Sequence, residues 1–286
     1  MTYNTSIQVY SATDSLLLRR IQVNLPQPDS SNDAPVVTIV ATRLSKQIPD
    51  HVWIALSDGH IYLVDWKKDT ITSNGFQTTS KTAKSLVLVP TKFPGAIQEA
   101  IVVGESTKPS LVELVAYQWE SRSEPTSKTL MSLTKAWGPV HLLEASADGQ
   151  ILAGSLNERL YFAKMSSQEV QSIEQLEYEC FSLDSPDIIT AIDLRVFTKR
   201  RSGKKGQSEA GVVVDIILGG ARGGIYLYHD AISRFTGGGK SSASQDEVEV
   251  RKYHWHRKAV HALKWSRDGM YIVFFIRCKH ANSYIR

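Results

Sequence analysis

The sequence is poor in cysteine, with only Cys180 and Cys278 among its 286 residues. Two cysteines are too few to form a disulfide framework or a four-cysteine zinc site. We therefore expect the chain to come from a reducing, intracellular compartment.

Long apolar runs are also missing. The longest apolar run, YIVFFI at 271–276, is far shorter than the roughly 18 to 20 residues that a membrane helix needs. The first fifteen residues have neither the basic start nor the apolar centre of a secretory signal. We expect a soluble globular chain without a membrane partner, and its 42% hydrophobic content is enough to build a core.

The sequence also lacks a complete catalytic or nucleotide-binding motif. GGGKSS at 237–242 resembles the end of a phosphate loop, but Arg234 stands where that loop requires glycine. LGGARGG at 218–224 precedes the strand-like IYLYHD and not the helix that a dinucleotide site needs. G-x-S-x-G and H-E-x-x-H motifs are absent. We predict no catalytic residue, no cofactor and no small-molecule substrate.

What the sequence does contain is a repeat. GPVHLLEASADGQIL at 138–152 and KAVHALKWSRDGMYI at 258–272 match through Val-His, Leu, Ser and Asp-Gly. Pairs of small or aliphatic residues three positions apart recur at intervals of 47, 57, 49 and 71 residues, beginning at Val36, Ala83, Val140, Ile189 and Val260. The last interval holds two insertions, 199–211 and 236–247, and is 46 residues without them. A unit of about 40 to 50 residues with four short strands is the period of a β-propeller blade.

Within each unit, short β-branched and aromatic runs are separated by Asp-Gly or Gly-Gly, which is typical of β-hairpins. The sequence predicts an all-β fold, a partial β-propeller of about four full blades plus two half blades. It would occupy 1–276, with insertions at 199–211 and 236–247 and an irregular tail at 277–286. Residues 166–179 carry a weak helical stripe, but their place in the repeat favours an outer strand and a loop.

The two ends of the sequence fall inside blades. SIQVYS and LLLRRIQV give two strands at the start, and YIVFFI lies in an unfinished unit at the end. We expect a fragment that forms an open arc with unpaired edges. The alternative is a closed five-bladed ring in which the first two and last two strands complete one blade.

Three stretches resemble one family in particular. AIDLR at 191–195, VDIILGGARGGIYLYHD at 214–230 and KYHWHRKAVHALKWSRDGMYI at 252–272 resemble the family of WD repeat-containing protein 75 and its fungal counterparts. That resemblance implies a WD-repeat β-propeller in the early, transcription-coupled subcomplex of the nucleolar small-subunit processome. It implies a non-catalytic scaffold in the nucleus and nucleolus. Its roles would be ribosome biogenesis, precursor rRNA transcription and processing of small-subunit rRNA, with other WD-repeat subunits and precursor rRNA as partners.

The chain departs from that family in two ways. The family's proteins are longer, with two propellers and a C-terminal helical part. No unit here keeps a Trp-Asp pair, and only Asp65 retains the acid among the equivalent positions, which are Tyr10-Ser11, Val64-Asp65, Ala163-Lys164 and Tyr228-His229. Two other functions stay open. One is a WD-repeat adaptor in another complex, such as a ubiquitin-ligase substrate receptor or a trafficking coat. The other is an enzyme built on a propeller.

A cluster of histidines, His254, His256 and His261, is either a metal site or part of the framework. His256 lies four residues before the first strand of its unit, where WD-repeat blades carry a histidine that hydrogen-bonds within the blade. His261 occupies the same repeat position as His141. A zinc site would need further ligands placed together, so we predict that His256 is a structural blade histidine and that no metal is bound.

A basic segment interrupts the last full unit. TKRRSGKKG at 198–206 contains five basic residues and no acid, namely Lys199, Arg200, Arg201, Lys204 and Lys205. A charged insertion of this kind is often a solvated loop. The functional alternatives are a nuclear import signal or an arm that contacts RNA phosphates.

Overall fold

In a computed structural model, the described residues of the chain form mainly β-strands. The described residues are 5–10, 16–23, 37–68, 70–71, 75–93, 99–108, 111–119, 124–134, 142–156, 158–166, 170–202, 208–232, 250–254, 257–266, 268–276 and 283–285. They include one short 3₁₀ turn, Ile173–Gln175. No helix in this described part is long and apolar enough to cross a membrane.

The strands follow one another in short antiparallel steps. In chain order they are β1 Thr5–Tyr10, β2 Leu17–Val23, β3 Ile39–Leu44, β4 His51–Leu56, β5 His60–Asp65, β6 Thr70–Ile71, β7 Phe76–Gln77, β8 Ser85–Pro90, β9 Glu99–Lys108, β10 Leu111–Gln118, β11 Thr126–Thr134, β12 Leu142–Ala145, β13 Ile151–Leu156, β14 Arg159–Met165, β15 Tyr178–Asp184, β16 Ile189–Ser202, β17 Ser208–Gly220, β18 Gly224–Tyr228, β19 Val250–His254, β20 Val260–Trp265, β21 Ile272–Ile276 and β22 Ser283–Ile285.

These strands form six sheets within the described residues. Four are blade-sized: β3-β4-β5-β6 with β7 also paired to β5, β8-β9-β10-β11, β12-β13-β14-β15 and β16-β17-β18-β19. Two are smaller, β1-β2 and β20-β21-β22. Neighbours along the chain are therefore neighbours in each sheet, as expected of antiparallel meanders. The prediction of about four full blades plus two partial ones is confirmed.

The chain divides into two compact units. The first is Met1–Pro139 with Glu169–Leu176, and the second is Val140–Gln168 with Glu177–Arg286. In the first unit, an aromatic cluster joins the sheet of β3–β7 to the sheet of β8–β11. Trp53 packs edge-on against Trp119, with ring centroids 5.6 Å apart. Ile21 of β2 packs on the opposite face of β4, against Ile54.

In the second unit, three sheets are stacked through apolar faces. Phe162 and Leu160 of β14 meet Val214 and Ile216 of β17 in one cluster. A second cluster joins β17 and β18 to β20 and β21. The sheet of β16–β19 therefore buries both faces, and this is why β17 reads as the nearly continuous apolar run VVVDIILGG. The stacking of sheets removes these side chains from water, which a single sheet could not do.

The Ser-x-Asp-Gly repeat has a structural explanation. Ser146 Oγ donates to Asp148 Oδ1 and accepts from the Ile151 amide at 2.9 Å. Ser266 and Asp268 do the same, with Ser266 Oγ accepting from the Tyr271 amide at 2.9 Å. Each serine and aspartate thus close a hairpin turn whose last residue is a glycine with positive φ, 73° at position 149 and 69° at 269. The predicted Asp-Gly turns are confirmed.

Two details correct or extend the sequence reading. Residues 277–286 are not irregular throughout, because β22 pairs with β21 from Ser283 to Ile285. Three strand residues are too few to give a periodic pattern, and the open edge of β21 supplies their partner. Residues 166–179 contain the 3₁₀ turn and the start of β15, which confirms the predicted loop and outer strand. The insertion at 236–247 lies outside the described residues.

Candidate interaction site: the basic arm and its anchor

The basic segment is built on a hairpin that is longer than its sheet. β16 and β17 pair continuously from Ile189↔Gly220 to Ser202↔Ser208, whereas β18 pairs with β17 only between Ile216 and Gly219. We call the two-stranded extension, residues 196–214, the basic arm. No described strand other than β16 pairs with the β17 half of this arm.

The backbone places three of the predicted site residues on this arm. Lys199, Arg200 and Arg201 lie on β16, where they pair with Gly211, Ala210 and Glu209. Lys204 and Lys205 lie outside the described residues. Within the predicted insertion at 199–211, residues 199–202 and 208–211 are strand, and residues 203–207 lie outside the described residues. β-branched residues at the root of the arm, such as Val212 and Val213, continue the pairing outward.

Burial falls along the arm. Val214 and Val213 are buried at 0% and 3% exposure, whereas Val212 is 54% exposed. Thr198, which pairs with Val212, is also exposed. The hydrophobic root therefore ends just before the charged residues begin. In the sequence, residues 196–214 hold five basic residues and one acid, Glu209, which concentrates a formal charge of +4 on this extension.

A buried ion pair anchors the root of the arm. Asp215 on β17 is 1% exposed and accepts from Arg195 Nη2 on β16 at 2.6 Å. Its other oxygen accepts from the Asp230 amide at 3.1 Å and lies 2.7 Å from Nδ1 of His229. A buried carboxylate needs several such partners, because burial without them is costly.

Arg195 also ties the arm to the neighbouring sheet. Its guanidinium lies 4.7 Å from the ring centroid of Phe197 and 4.2 Å from that of Trp265. Its Nη1 donates to the carbonyl of Gly269, in the turn between β20 and β21. Cation–π contacts and charge-assisted hydrogen bonds thus hold one guanidinium on several sides.

A second acid strengthens the same junction. Asp193 on β16 accepts from the Trp265 amide and from Lys264 Nζ, both at 2.8 Å. Glu144 lies 3.3 Å from the same Nζ. Although burial acts to lower it, the pKa of Lys264 is raised by Glu144 and Asp193. The arm therefore projects from a base that is cross-linked by hydrogen bonds and ion pairs.

Sequence reasoning missed this anchor. Asp215 stands alone inside the apolar run VVVDIIL, and Asp193 inside AIDLR. An isolated acid in a buried strand predicts a paired charge, so a signal was available. The sequence could not identify the partners of these acids, because Asp193 and Trp265 are 72 positions apart.

The predicted blade histidine cannot be placed, because His256 lies outside the described residues. His261 lies on β20 and its side chain is exposed. Two other histidines contact acids: His229 contacts Asp215, and Nδ1 of His60 lies 2.9 Å from Asp58. Over the described part of the chain, no group of three or more His, Cys, Asp or Glu residues could hold a metal ion.

Comparison of the sequence with family models and with curated proteins finds no match to either. Solved structures do match. BBS1N, in complex with ARL6DN and soaked with lead, is similar at a TM-score of 0.54 and 12% identity, over 96% of this chain and 69% of that chain. The β-propeller domain of Cps50 (Swd1) from Myceliophteria thermophila gives a TM-score of 0.48 and 13% identity, over 85% and 65%.

These similarities concern the fold. The similarity to BBS1N extends over nearly the whole of this chain. Together with the blade-sized antiparallel sheets, this gives an all-β, partial β-propeller fold.

Proposed function

We propose that this chain is a non-catalytic scaffold of the nucleolar small-subunit processome. It would act in ribosome biogenesis, through precursor rRNA transcription and the processing of small-subunit rRNA. Support comes from the three stretches that resemble the family of WD repeat-containing protein 75. Much of the first two lies on β16, β17 and β18, the strands that form the arm and its base. Its partners would be other WD-repeat subunits of the same subcomplex.

The observation that carries the proposal is a basic arm on a base cross-linked by hydrogen bonds and ion pairs. A scaffold must hold several partners in fixed positions, and stacked sheets supply rigid attachment points. The arm adds a concentrated positive charge, with Lys199, Arg200 and Arg201 on the part of β16 that extends beyond the four-stranded sheet. Such a charge attracts the phosphates of precursor rRNA without reading base sequence.

Phosphate contact has a quantitative signature. Each neutralised phosphate of a single strand adds about −0.7 to the slope of log affinity against log salt. Replacing Lys199, Arg200, Arg201, Lys204 and Lys205 by alanine should flatten that slope by up to about 3.5. The matched control is Arg19→Ala with Arg20→Ala, an exposed pair on β2 outside the arm, which should leave most of the slope unchanged.

The alternative is a WD-repeat adaptor in another complex, such as a ubiquitin-ligase substrate receptor or a trafficking coat. It is favoured by the structural similarity to BBS1N, which was solved in complex with a protein, ARL6DN. In that case the basic segment would serve as a nuclear import signal or as a solvated arm. Partners would then be proteins and not RNA.

One experiment separates the two functions. The full chain, tagged, is expressed in a eukaryotic cell, located by microscopy and recovered with its partners. The scaffold proposal expects a nucleolar signal, co-purified precursor rRNA and other WD-repeat subunits. A signal elsewhere, with ubiquitin-ligase or coat subunits and no precursor rRNA, would overturn it in favour of the adaptor. Loss of nuclear entry in the arm variant would identify an import signal instead of an RNA contact.

A further inference from the structure

Ser202 occupies a distinctive place on the basic arm. It is the last residue of β16, and its pair with Ser208 is the outermost described pair of the hairpin. Lys199, Arg200 and Arg201 precede it directly. It is the only serine or threonine in the sequence that directly follows two or more consecutive basic residues.

We propose that Ser202 is a phosphorylation site for a protein kinase that prefers basic sequences, and that the phosphate switches off the arm's attraction for polyanions. The acceptor site itself follows from the position and sequence of the arm. The switch rests on the proposed contact between the arm and phosphates. The two parts can therefore fail separately.

The arm is suited to being a kinase substrate. Kinases bind their substrates as extended segments, and a run of cations before the acceptor matches a groove lined with carboxylates, with arginine able to bind them in bidentate fashion. Opening the outermost pairs of a two-stranded arm costs less than opening a strand inside a four-stranded sheet, because fewer hydrogen bonds and buried contacts are lost. Ser202 can therefore become accessible while Val213 and Val214 keep the root closed.

The chemical step uses a nucleoside triphosphate supplied by the kinase. Ser202 Oγ attacks the γ-phosphorus of Mg·ATP, and the bond between that phosphorus and the β–γ bridging oxygen breaks. ADP leaves, the hydroxyl proton passes to the kinase's base, and a serine phosphate monoester remains. No redox change occurs.

The consequence is electrostatic. The arm carries a formal charge of +4 in residues 196–214, and a phosphoserine adds roughly −1.5 to −2. The phosphate can also accept hydrogen bonds from neighbouring guanidinium groups. Losing about two ionic contacts with a single strand changes the salt exponent by about 1.4, which corresponds to about 25-fold weaker binding at 0.1 M salt.

The test uses the full chain, the purified catalytic subunit of a basophilic serine kinase, and Mg·ATP. We expect one phosphoryl group per chain, mapped to Ser202. Incorporation should be lost in Ser202→Ala, retained in Ser208→Ala, and slowed at least tenfold in Arg200→Ala with Arg201→Ala. Labelling that persists in Ser202→Ala, or that is absent from the wild type, would overturn the acceptor site.

The switch is tested by fluorescence anisotropy with a single-stranded RNA 30-mer of mixed sequence. The phosphorylated wild type should bind about 25-fold more weakly than the unmodified chain at 0.1 M salt. Ser202→Ala treated with kinase should keep its affinity. Equal affinities before and after modification would overturn the switch. If the unmodified chain does not bind the RNA, the RNA contact in the proposed function fails, and the switch with it, while the mapped label still decides the acceptor site.

Discussion

Arg195 and Asp215 form a charge-assisted hydrogen bond at the root of the basic arm, 2.6 Å from Nη2 to Oδ2. Their Cα positions are paired in register on β16 and β17, and Asp215 is 1% exposed. Asp215 lies one residue beyond Ile216, the outermost residue of β17 that pairs with β18. The pair therefore fixes the point at which the four-stranded sheet becomes a two-stranded arm.

Removing the arginine should destabilise the second unit. Arg195→Ala leaves Asp215 buried without its main counter-charge, so we expect a loss of about 3 to 5 kcal/mol in unfolding free energy. Denaturant unfolding monitored by circular dichroism would measure it. The control is Arg159→Ala, whose Nε lies 2.7 Å from the exposed carboxylate of Asp184. That pair should contribute less than about 1 kcal/mol. Equal losses in the two variants would contradict the anchor.

Glu105 should make the first unit less stable as pH rises. Burial raises the pKa of Glu105 above its ordinary value of 4.5, although hydrogen bonds from Ser80 and Tyr117 partly oppose this. The folded state therefore holds the proton more tightly than the unfolded state does. The contribution of Glu105 to the unfolding free energy is fully present below about pH 4.5 and is lost as pH rises through the pKa of Glu105 in the folded state.

Glu105→Gln removes this dependence. The difference in unfolding free energy between variant and wild type should grow in favour of the variant from about pH 4.5 upward. Urea unfolding at a series of pH values from 4 to 8 would show it. Parallel profiles for the two proteins would mean that the buried carboxyl ionises freely in the folded state.

Two buried tyrosines should respond oppositely to loss of the hydroxyl. The Tyr161 hydroxyl is buried and has no hydrogen-bond partner among the described residues, so Tyr161→Phe should raise the unfolding free energy by about 1 kcal/mol. The Tyr117 hydroxyl accepts from the Thr79 amide at 2.8 Å and donates to Glu105. Tyr117→Phe should cost about 1 to 3 kcal/mol. Thermal unfolding of both variants tests this, and a loss at Tyr161 would reveal a partner for its hydroxyl.

Shortening the arm should leave the fold intact. Thr198 and Val212 are paired, so residues 199–211 can be replaced by an Asn-Gly turn that suits a two-residue hairpin. Because the removed part of β17 pairs with no described strand except β16, we expect a change in unfolding free energy below about 1 kcal/mol. Circular dichroism and denaturant unfolding measure it. A loss of several kcal/mol would show that the arm supports the second unit.

Much of the fold could be predicted from the residues. The strands HVWIAL and HIYLVD, the turn Asp58-Gly59 between them, and the number of blades all follow from short β-branched and aromatic runs and from turn chemistry. The strand Ser283–Ile285 could not be predicted, because three residues carry no periodicity and its pairing depends on a free edge. The histidine cluster drew attention in the sequence, whereas the structure gives the central role to Asp215, a single acid in an apolar run.

The sequence by itself determined which segments are strands, where the chain turns and where positive charge accumulates, because these depend on neighbours a few residues apart. Tertiary structure alone decided which buried charges meet. Arg195 lies 74 positions from Gly269 and 20 from Asp215, and no local pattern encodes such distances. Only the stacking of sheets brings these groups together, since burying their apolar faces fixes which strand ends lie side by side.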